Sequence, residues 1–230
     1  MQNTRVKICG ITSVYDARLI CSFPIHAIGL NFVKRSKRRI SLRTAREILD
    51  KLPPLVEPVL IFEDEKLSEV IYTSTTLGVN TLQLHGAETV SYCHDLKRFN
   101  KYLKIIKALP TKEASASQLN AYKKVCDCFL LDSFDRKNQM GGTGKPSDWN
   151  IAQEIVSKTR LPIILAGGLN PYNVSSAIKR VKPFGIDINS GIESKIGKKD
   201  KSMIERLFEE LGSWFAFYKE SSLMIISSYT

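Results

Sequence analysis

Two side chains in this sequence have the chemistry to move protons across a small substrate. Cys9 ends the run Val6-Lys7-Ile8-Cys9, and Asp132 ends the run Phe129-Leu130-Leu131-Asp132. A thiolate is a base and a neutral carboxylic acid is an acid, so the two on opposite walls of one pocket would form an acid–base pair. A cysteine must lose its proton to act, and its reference pKa of ~8.5 falls only beside positive charge. Lys7 lies two residues earlier, on the same face of an extended segment, and is expected to supply that charge. Each residue also has an ordinary reading. Free cysteine is among the most buried residue types, and aspartate often caps loops.

Two glycine-rich stretches suit an anion. They are Leu165-Ala166-Gly167-Gly168-Leu169-Asn170 and Asn189-Ser190-Gly191. Glycine lets backbone N–H groups come close to a phosphate, although tight turns alone also account for glycine. A third stretch, Met140-Gly141-Gly142-Thr143-Gly144-Lys145-Pro146, resembles a P-loop but has Gln139 where the first glycine belongs and Pro146 after the lysine. It sits in a long connection from Ser133 to Asp148, which reads as an active-site lid or as a surface excursion. The basic run Lys34-Arg35-Ser36-Lys37-Arg38-Arg39 has no surrounding aromatics to stack on bases. It reads as a solvated face, with one arginine able to clamp a carboxylate by two hydrogen bonds.

These residues sit on a repeating framework. Short apolar runs at 5–9, 27–32, 58–62, 81–85, 103–108, 129–132, 162–167 and 185–190 predict strands. Helical periodicity separates them, as at 14–21, 42–52, 67–77, 88–99 and 151–158, with a last helix over roughly 202–218. Ser41, Asp148 and the pair Asn170-Pro171 stand where helices should begin. About eight such strand–helix units predict a single α/β (β/α)8 TIM barrel. The alternative, an open doubly wound sheet, needs a glycine-rich turn after its first strand, and Cys9-Gly10-Ile11-Thr12 is no such turn. One domain is expected over residues 1–230, with a C-terminal extension at about 214–230.

Strand alternation then sorts the faces. Leu82 and Leu84 oppose Gln83 and His85, Ile186 and Ile188 oppose Asp187 and Asn189, and Leu30 opposes Asn31. With the apolar face against the helices, the polar face points into the barrel and its members gather at the C-terminal rim, where barrel enzymes place their chemistry.

Composition closes off other classes. The 230 residues contain 43% hydrophobic and 25% charged residues, ordinary for a globular protein able to bury a core without staples. No apolar run approaches the ~18 residues that cross a membrane, and the polar start does not read as a secretory signal. Five unevenly spaced cysteines point to a reducing cytoplasm. Three scattered histidines and no C-x-x-C predict no metal site. Lys plus Arg is 34 against 23 for Asp plus Glu, a net charge of +11, which suits a solvated basic surface, a polyanion or a small anionic substrate.

Val6-Lys7-Ile8-Cys9-Gly10-Ile11-Thr12, Leu82-Gln83-Leu84-His85-Gly86, Gly141-Gly142-Thr143-Gly144-Lys145, Leu165-Ala166-Gly167-Gly168-Leu169 and Asp187-Ile188-Asn189-Ser190-Gly191-Ile192-Glu193 together resemble the phosphoribosylanthranilate isomerases of tryptophan biosynthesis. The resemblance runs in order from Arg5 to about Leu211. It implies a cofactor-free Amadori rearrangement of a phosphorylated small molecule, with no nucleic acid or membrane partner, in a monomer or homodimer. It implies Asp132 as general acid and Cys9 as general base. Gly167, Gly168, Ser190 and Gly191 would hold the phosphate, Arg38 the anthranilate carboxylate, and Gln83, His85 and Asp187 would line the pocket. Lys37 replaces a proline usual before the clamp arginine, Asn189 a common serine, and Ser147 an aromatic residue. The competing readings are a related aminoaldose-phosphate isomerase, which usually has a carboxylate where Cys9 stands, and a non-catalytic polyanion-binding module.

Overall fold

In the computed structural model, which describes residues 4–133 and 148–212, eight parallel strands close in sequence order into one barrel. The strands are β1 (Arg5–Ile8), β2 (Ala27–Asn31), β3 (Glu57–Phe62), β4 (Thr81–Leu84), β5 (Lys104–Pro110), β6 (Cys128–Asp132), β7 (Ile163–Leu165) and β8 (Gly185–Ile188). The helices are α1 (Val14–Cys21), α2 (Leu42–Leu49), α3 (Leu67–Leu77), α4 (Val90–Phe99), α5 (Ala116–Tyr122), α6 (Trp149–Lys158), α7 (Val174–Val181) and α8 (Lys201–Glu210). The expected (β/α)8 architecture is therefore present. The connection that contains Gly141 to Lys145, Ser147 and the stretch from Trp214 onward lie outside the described residues.

Alternation along each strand builds two cores. Val6, Ile8, Leu82, Leu84, Ile186 and Ile188 face outward and pack with the helices. A second cluster fills the barrel itself with Val59, Ile106, Ala108, Cys128, Leu130, Ile164 and Ala166. The inward face is thus polar on β1, β4 and β8, and apolar along β5 to β7 as far as Asp132 at the end of β6. A barrel interior is a packed core, so charge survives there only where it is paired. Lys7 and Asp187 meet that condition, since they are register neighbours on β1 and β8 and bond at 2.8 Å.

Two of the three caps expected from the sequence open their helices. The Ser41 side chain accepts from Thr44 N–H and Asp148 from Asn150 and Ile151 N–H, satisfying donors that the first helical turn leaves open. Asn170-Pro171, expected to open a helix, instead forms a turn, and α7 begins at Val174. The Asn173 side chain is turned back toward that turn, accepting from Asn170 N–H at 2.9 Å and donating to Gly168 O at 2.9 Å.

A buried ion pair ties the rim together where β4 and β5 end. Lys107 is fully buried, and its ammonium donates to Gly86 O at 2.7 Å and Glu88 Oε2 at 2.9 Å. Glu88 in turn accepts from Asp64 N–H at 2.9 Å and Gly86 N–H at 3.0 Å. The strand-end loops of β3 and β4 are thereby fixed to a lysine of β5, beside His85. Lys107→Met removes the cation and leaves the Glu88 carboxylate buried alone, so urea unfolding should show a loss of about 3 kcal/mol. A loss below about 1 kcal/mol, the scale of an exposed pair, contradicts this account.

Candidate active site

The C-terminal strand ends surround a cavity of about 580 Å3. Cys9, Arg38, Gln83, His85, Asp132, Gly167, Gly168, Asp187 and Ser190 all line it. Gly191, the remaining expected residue, lies just behind, packed against the β7 loop. A Cβ there would stand 2.0 Å from Leu169 O, so only glycine lets the two glycine-rich loops touch. Gly191→Ala must push those loops apart, and thermal unfolding should report a loss of about 1–3 kcal/mol. An unchanged melt would contradict the contact.

The first wall carries Cys9. Its backbone N–H donates to Ile188 O at 2.8 Å, which continues the β1–β8 pairing past the strand end. Burial pushes the Cys9 thiol up to about 11, and neighbouring Lys7 and Lys199 offset only part of that. Lys7 acts on Cys9 in the expected direction, but burial outweighs it. The Lys7 charge is already engaged by Asp187, which together with Asp132 raises the thiol further. Burial alone would strip the Lys7 proton, but Asp187 and Cys9 around it hold its pKa above the ordinary value.

Across the mouth stands Asp132. Burial pushes its carboxyl up to about 6, although the Ser133 N–H donates to Oδ1 at 2.6 Å and pulls the other way. His85 sits beside it, with Nε2 3.6 Å from Asp132 Oδ2. Gln83 Nε2 donates to His85 Nδ1 at 2.9 Å, which leaves the proton of a neutral ring on Nε2, facing Asp132. Two buried acceptors in the barrel, Gln83 Oε1 and Asp187 Oδ1, have no donor among the described residues.

The third part is a pair of glycine-rich turns. Gly167 and Gly168 both adopt left-handed backbone, with φ of 86° and 65°. That conformation suits glycine and forms a turn whose two N–H groups donate to no acceptor among the described residues. Ser190 and Gly191 lie in a single 3-10 turn, Ser190–Ile192, directly after β8.

Arg38 reaches the cavity from the basic run. Asn31 aims the loop: its Nδ2 donates to Ser36 Oγ at 3.0 Å and its Oδ1 accepts from Val33 N–H at 2.8 Å. Ser36 Oγ also accepts from Arg38 N–H at 3.1 Å. Gly10, with φ of 71°, clears the path, since a Cβ there would stand 2.7 Å from Arg38 Cδ. Lys34 pairs with Glu65 at 2.9 Å and Arg35 with Glu63, so much of this run is already neutralised on the rim.

Two charged residues that sequence reasoning assigned no role stand behind Arg38. Glu193 takes both Arg38 Nε, at 2.8 Å, and Arg38 Nη2, at 2.6 Å. Lys199 Nζ donates to Glu193 Oε1, Asn189 O and Asn189 Oδ1, each at 3.1 Å. Lys199 belongs to a short antiparallel hairpin, β9 (Glu193–Lys195) with β10 (Lys198–Lys199), that hydrophobic pattern did not reveal. Glu193 had one signal, since it closes the Asp187–Glu193 motif.

Taken together, an acid wall, a thiol wall, a pair of glycine-rich turns and a cationic arm surround one pocket in a closed barrel. A sequence model of the family described as N-(5'-phosphoribosyl)anthranilate (PRA) isomerase matches residues 6–210. The chain belongs to that isomerase family. It is 36% identical over 217 residues to the N-(5'-phosphoribosyl)anthranilate isomerase of Gloeothece citriformis, covering 94% of this chain and 97% of the relative. The crystal structure of the Thermus thermophilus enzyme aligns with a TM-score of 0.81 at 30% identity, over 90% of this chain and 98% of the other. A second isomerase structure, in complex with reduced 1-(o-carboxyphenylamino)-1-deoxyribulose 5-phosphate, aligns with a TM-score of 0.75 at 34% identity, over 90% and 97%. The isomerase is accordingly an enzyme of tryptophan biosynthesis. Among the described residues no cluster of His, Cys, Asp or Glu could hold a metal ion, and no helix is long and apolar enough to cross a membrane.

Proposed function

We propose that Asp132 and Cys9 carry the rearrangement of N-(5-phosphoribosyl)anthranilate to 1-(2-carboxyphenylamino)-1-deoxyribulose 5-phosphate as general acid and general base. The observation that carries this reading is the pair itself: a carboxyl raised to about 6 and a buried thiol lining one cavity. A carboxyl held up by burial keeps a usable proton near neutrality. Asp132 gives that proton to the ribose ring oxygen, the C1–O bond breaks, and the anilino nitrogen takes up the electron demand as an iminium. Cys9 then removes the proton from C2. The C2–H electrons form the C1–C2 double bond of an enolamine, which tautomerises to the ketone by losing the hydroxyl proton and gaining one at C1. Protons lost and gained balance, and no cofactor enters.

The thiol at about 11 is the difficult partner in the free pocket. Ring opening supplies the remedy. A positive iminium formed beside Cys9 favours the thiolate, whose proton passes to the Asp132 carboxylate left by ring opening, and acidifies C2–H in the same step, so both groups end as they began. His85, as the Nε2–H tautomer beside Asp132, stabilises the carboxylate once its proton has gone. Gln83 Oε1 and Asp187 Oδ1 accept from ribose hydroxyls, which orients C2 toward Cys9. The N–H groups at Gly167, Gly168, Ser190 and Gly191 hold the phosphate, and Arg38 takes the anthranilate carboxylate. Five unpaired cysteines suit a reducing cytoplasm.

The test gives purified isomerase substrate generated in situ and follows the C1 anomeric proton and the C2 ketone carbon by NMR. Rapid conversion by wild type and loss of conversion by Cys9→Ala and Asp132→Asn are expected. Unimpaired conversion by either variant removes that residue from the mechanism.

A further inference from the structure

We propose that Glu193 is a positioning residue for substrate recognition: it grips one edge of the Arg38 guanidinium so that the other edge meets the anthranilate carboxylate. The proposal rests on Arg38 as the carboxylate clamp. Arginine presents its donors in a planar fork, and a carboxylate that takes Nε and one Nη2 hydrogen occupies one edge of it. Glu193 does so at 2.8 and 2.6 Å. Both Nη1 hydrogens and the second Nη2 hydrogen remain for another two-oxygen acceptor. Exposure agrees with that division, because the Glu193 side chain is 4% exposed while Arg38 keeps 14% and lines the cavity.

Glu193 is itself held. Lys199, fully buried, donates to Glu193 Oε1 and, by the same ammonium, to both oxygens of Asn189. Burial disfavours the Glu193 charge, but the Arg38 hydrogen bonds and Lys199 outweigh it and hold the carboxyl below its ordinary value. Asn189 directly precedes the Ser190–Ile192 turn. One chain of bonds therefore links the arm for the carboxylate to the turn assigned to the phosphate, and sets the distance between the two anionic ends of the substrate. Arg38, Glu193 and Lys199 sum to a net charge of +1 at this corner, enough for one carboxylate.

The alternative role for Glu193 is purely electrostatic, and it predicts the opposite sign. Glu193→Gln removes a negative charge near an anionic ligand, so a field effect alone strengthens substrate binding. Loss of positioning weakens it. The test compares wild type, Glu193→Gln, Glu193→Asp and Arg38→Met with N-(5-phosphoribosyl)anthranilate and with the carboxylate-free N-(5-phosphoribosyl)aniline. Glu193→Gln should raise KM for the carboxylate substrate about tenfold, the equivalent of one charge-assisted hydrogen bond, with kcat little changed. KM for the aniline analogue should stay within about twofold, because a substrate without the group loses nothing. Glu193→Asp, charged but one methylene short, should show a smaller rise with the same selectivity, and it carries the comparison if the glutamine variant does not fold. An unchanged or lowered KM, or equal rises for both substrates, overturns the proposal. If Arg38→Met also affects both substrates equally, the clamp assignment itself fails. If Arg38→Met is selective and the Glu193 variants are not, only the positioning role fails.

Discussion

Asp132→Asn should lower turnover by about 10^3-fold and at the same time stabilise the protein at pH 8. The first effect follows from the chemistry. Asparagine fits the same space but has no proton to give the ring oxygen, so ring opening falls back on water. The second follows from linkage. Asp132 titrates near 6 in the fold against an ordinary 3.8, so the folded state binds its proton more tightly than the unfolded chain does. Its favourable contribution is full below pH 4, is lost as pH rises through the window from about 4 to 6, and is absent at pH 8. There the folded protein carries a buried carboxylate at a cost. Replacing it should recover about 1–2 kcal/mol, less than the full shift because the side chain is partly exposed and its bond from Ser133 N–H is no longer charge-assisted. Urea unfolding at pH 8 and pH 4 checks this: the gain should be present at the first and vanish at the second. A variant less stable at pH 8, or a gain independent of pH, would show that burial does not hold the Asp132 proton.

Cys9→Ala should cost a similar factor in turnover, about 10^2- to 10^4-fold, with the barrel intact. Cys9→Ser sharpens the test. It restores most of the volume, but a hydroxyl is a far weaker acid than a thiol and yields no usable base. A merely structural Cys9 would be rescued by serine, and a base would not. The free thiol should also be sluggish. At pH 8 a group titrating near 11 is almost wholly protonated, so Cys9 should alkylate slowly with iodoacetamide, and faster as pH rises. Rapid alkylation at pH 8, lost in Cys9→Ala, would show a thiol already activated in the empty pocket and would restore the role first expected of Lys7.

Periodicity made the barrel legible, because a two-residue repeat and a helical repeat demand different partners. Leu82-Gln83-Leu84-His85 shows why, since its two faces carry opposite chemistry and only one orientation buries leucine. The same logic placed Cys9, Asp132 and Asp187 at one mouth. It failed where pattern is silent. Ile106 and Ile164 fill the barrel from β5 and β7, strands on which alternation set no polar face apart. Lys107 and Lys199 look like ordinary surface lysines in sequence, and only tertiary structure supplies the acceptors that let them be buried. The Cys9 environment was misjudged for a related reason. Lys7 was visible beside it, but the burial of both and the prior claim of Asp187 on Lys7 were not.

The positive charge of the chain also has a more specific meaning. Lys34 and Arg35 are answered by acidic residues on the rim, while Arg38, held along one edge by Glu193, lines the cavity. The basic run is thus part of a substrate mouth more than a polyanion surface.

A deuterium isotope effect separates the two proton transfers assigned to Asp132 and Cys9. Substrate carrying deuterium at C2 would be compared with unlabelled substrate in wild type and both variants. In Cys9→Ala the C2–H bond breaks in the slowest step, so the isotope effect on kcat/KM should be fully expressed. In Asp132→Asn ring opening is slowest and precedes C2 chemistry, so the effect should collapse toward unity. Equal isotope effects in the two variants, or the reverse order, would contradict the assignment of Asp132 to the ring oxygen and Cys9 to C2.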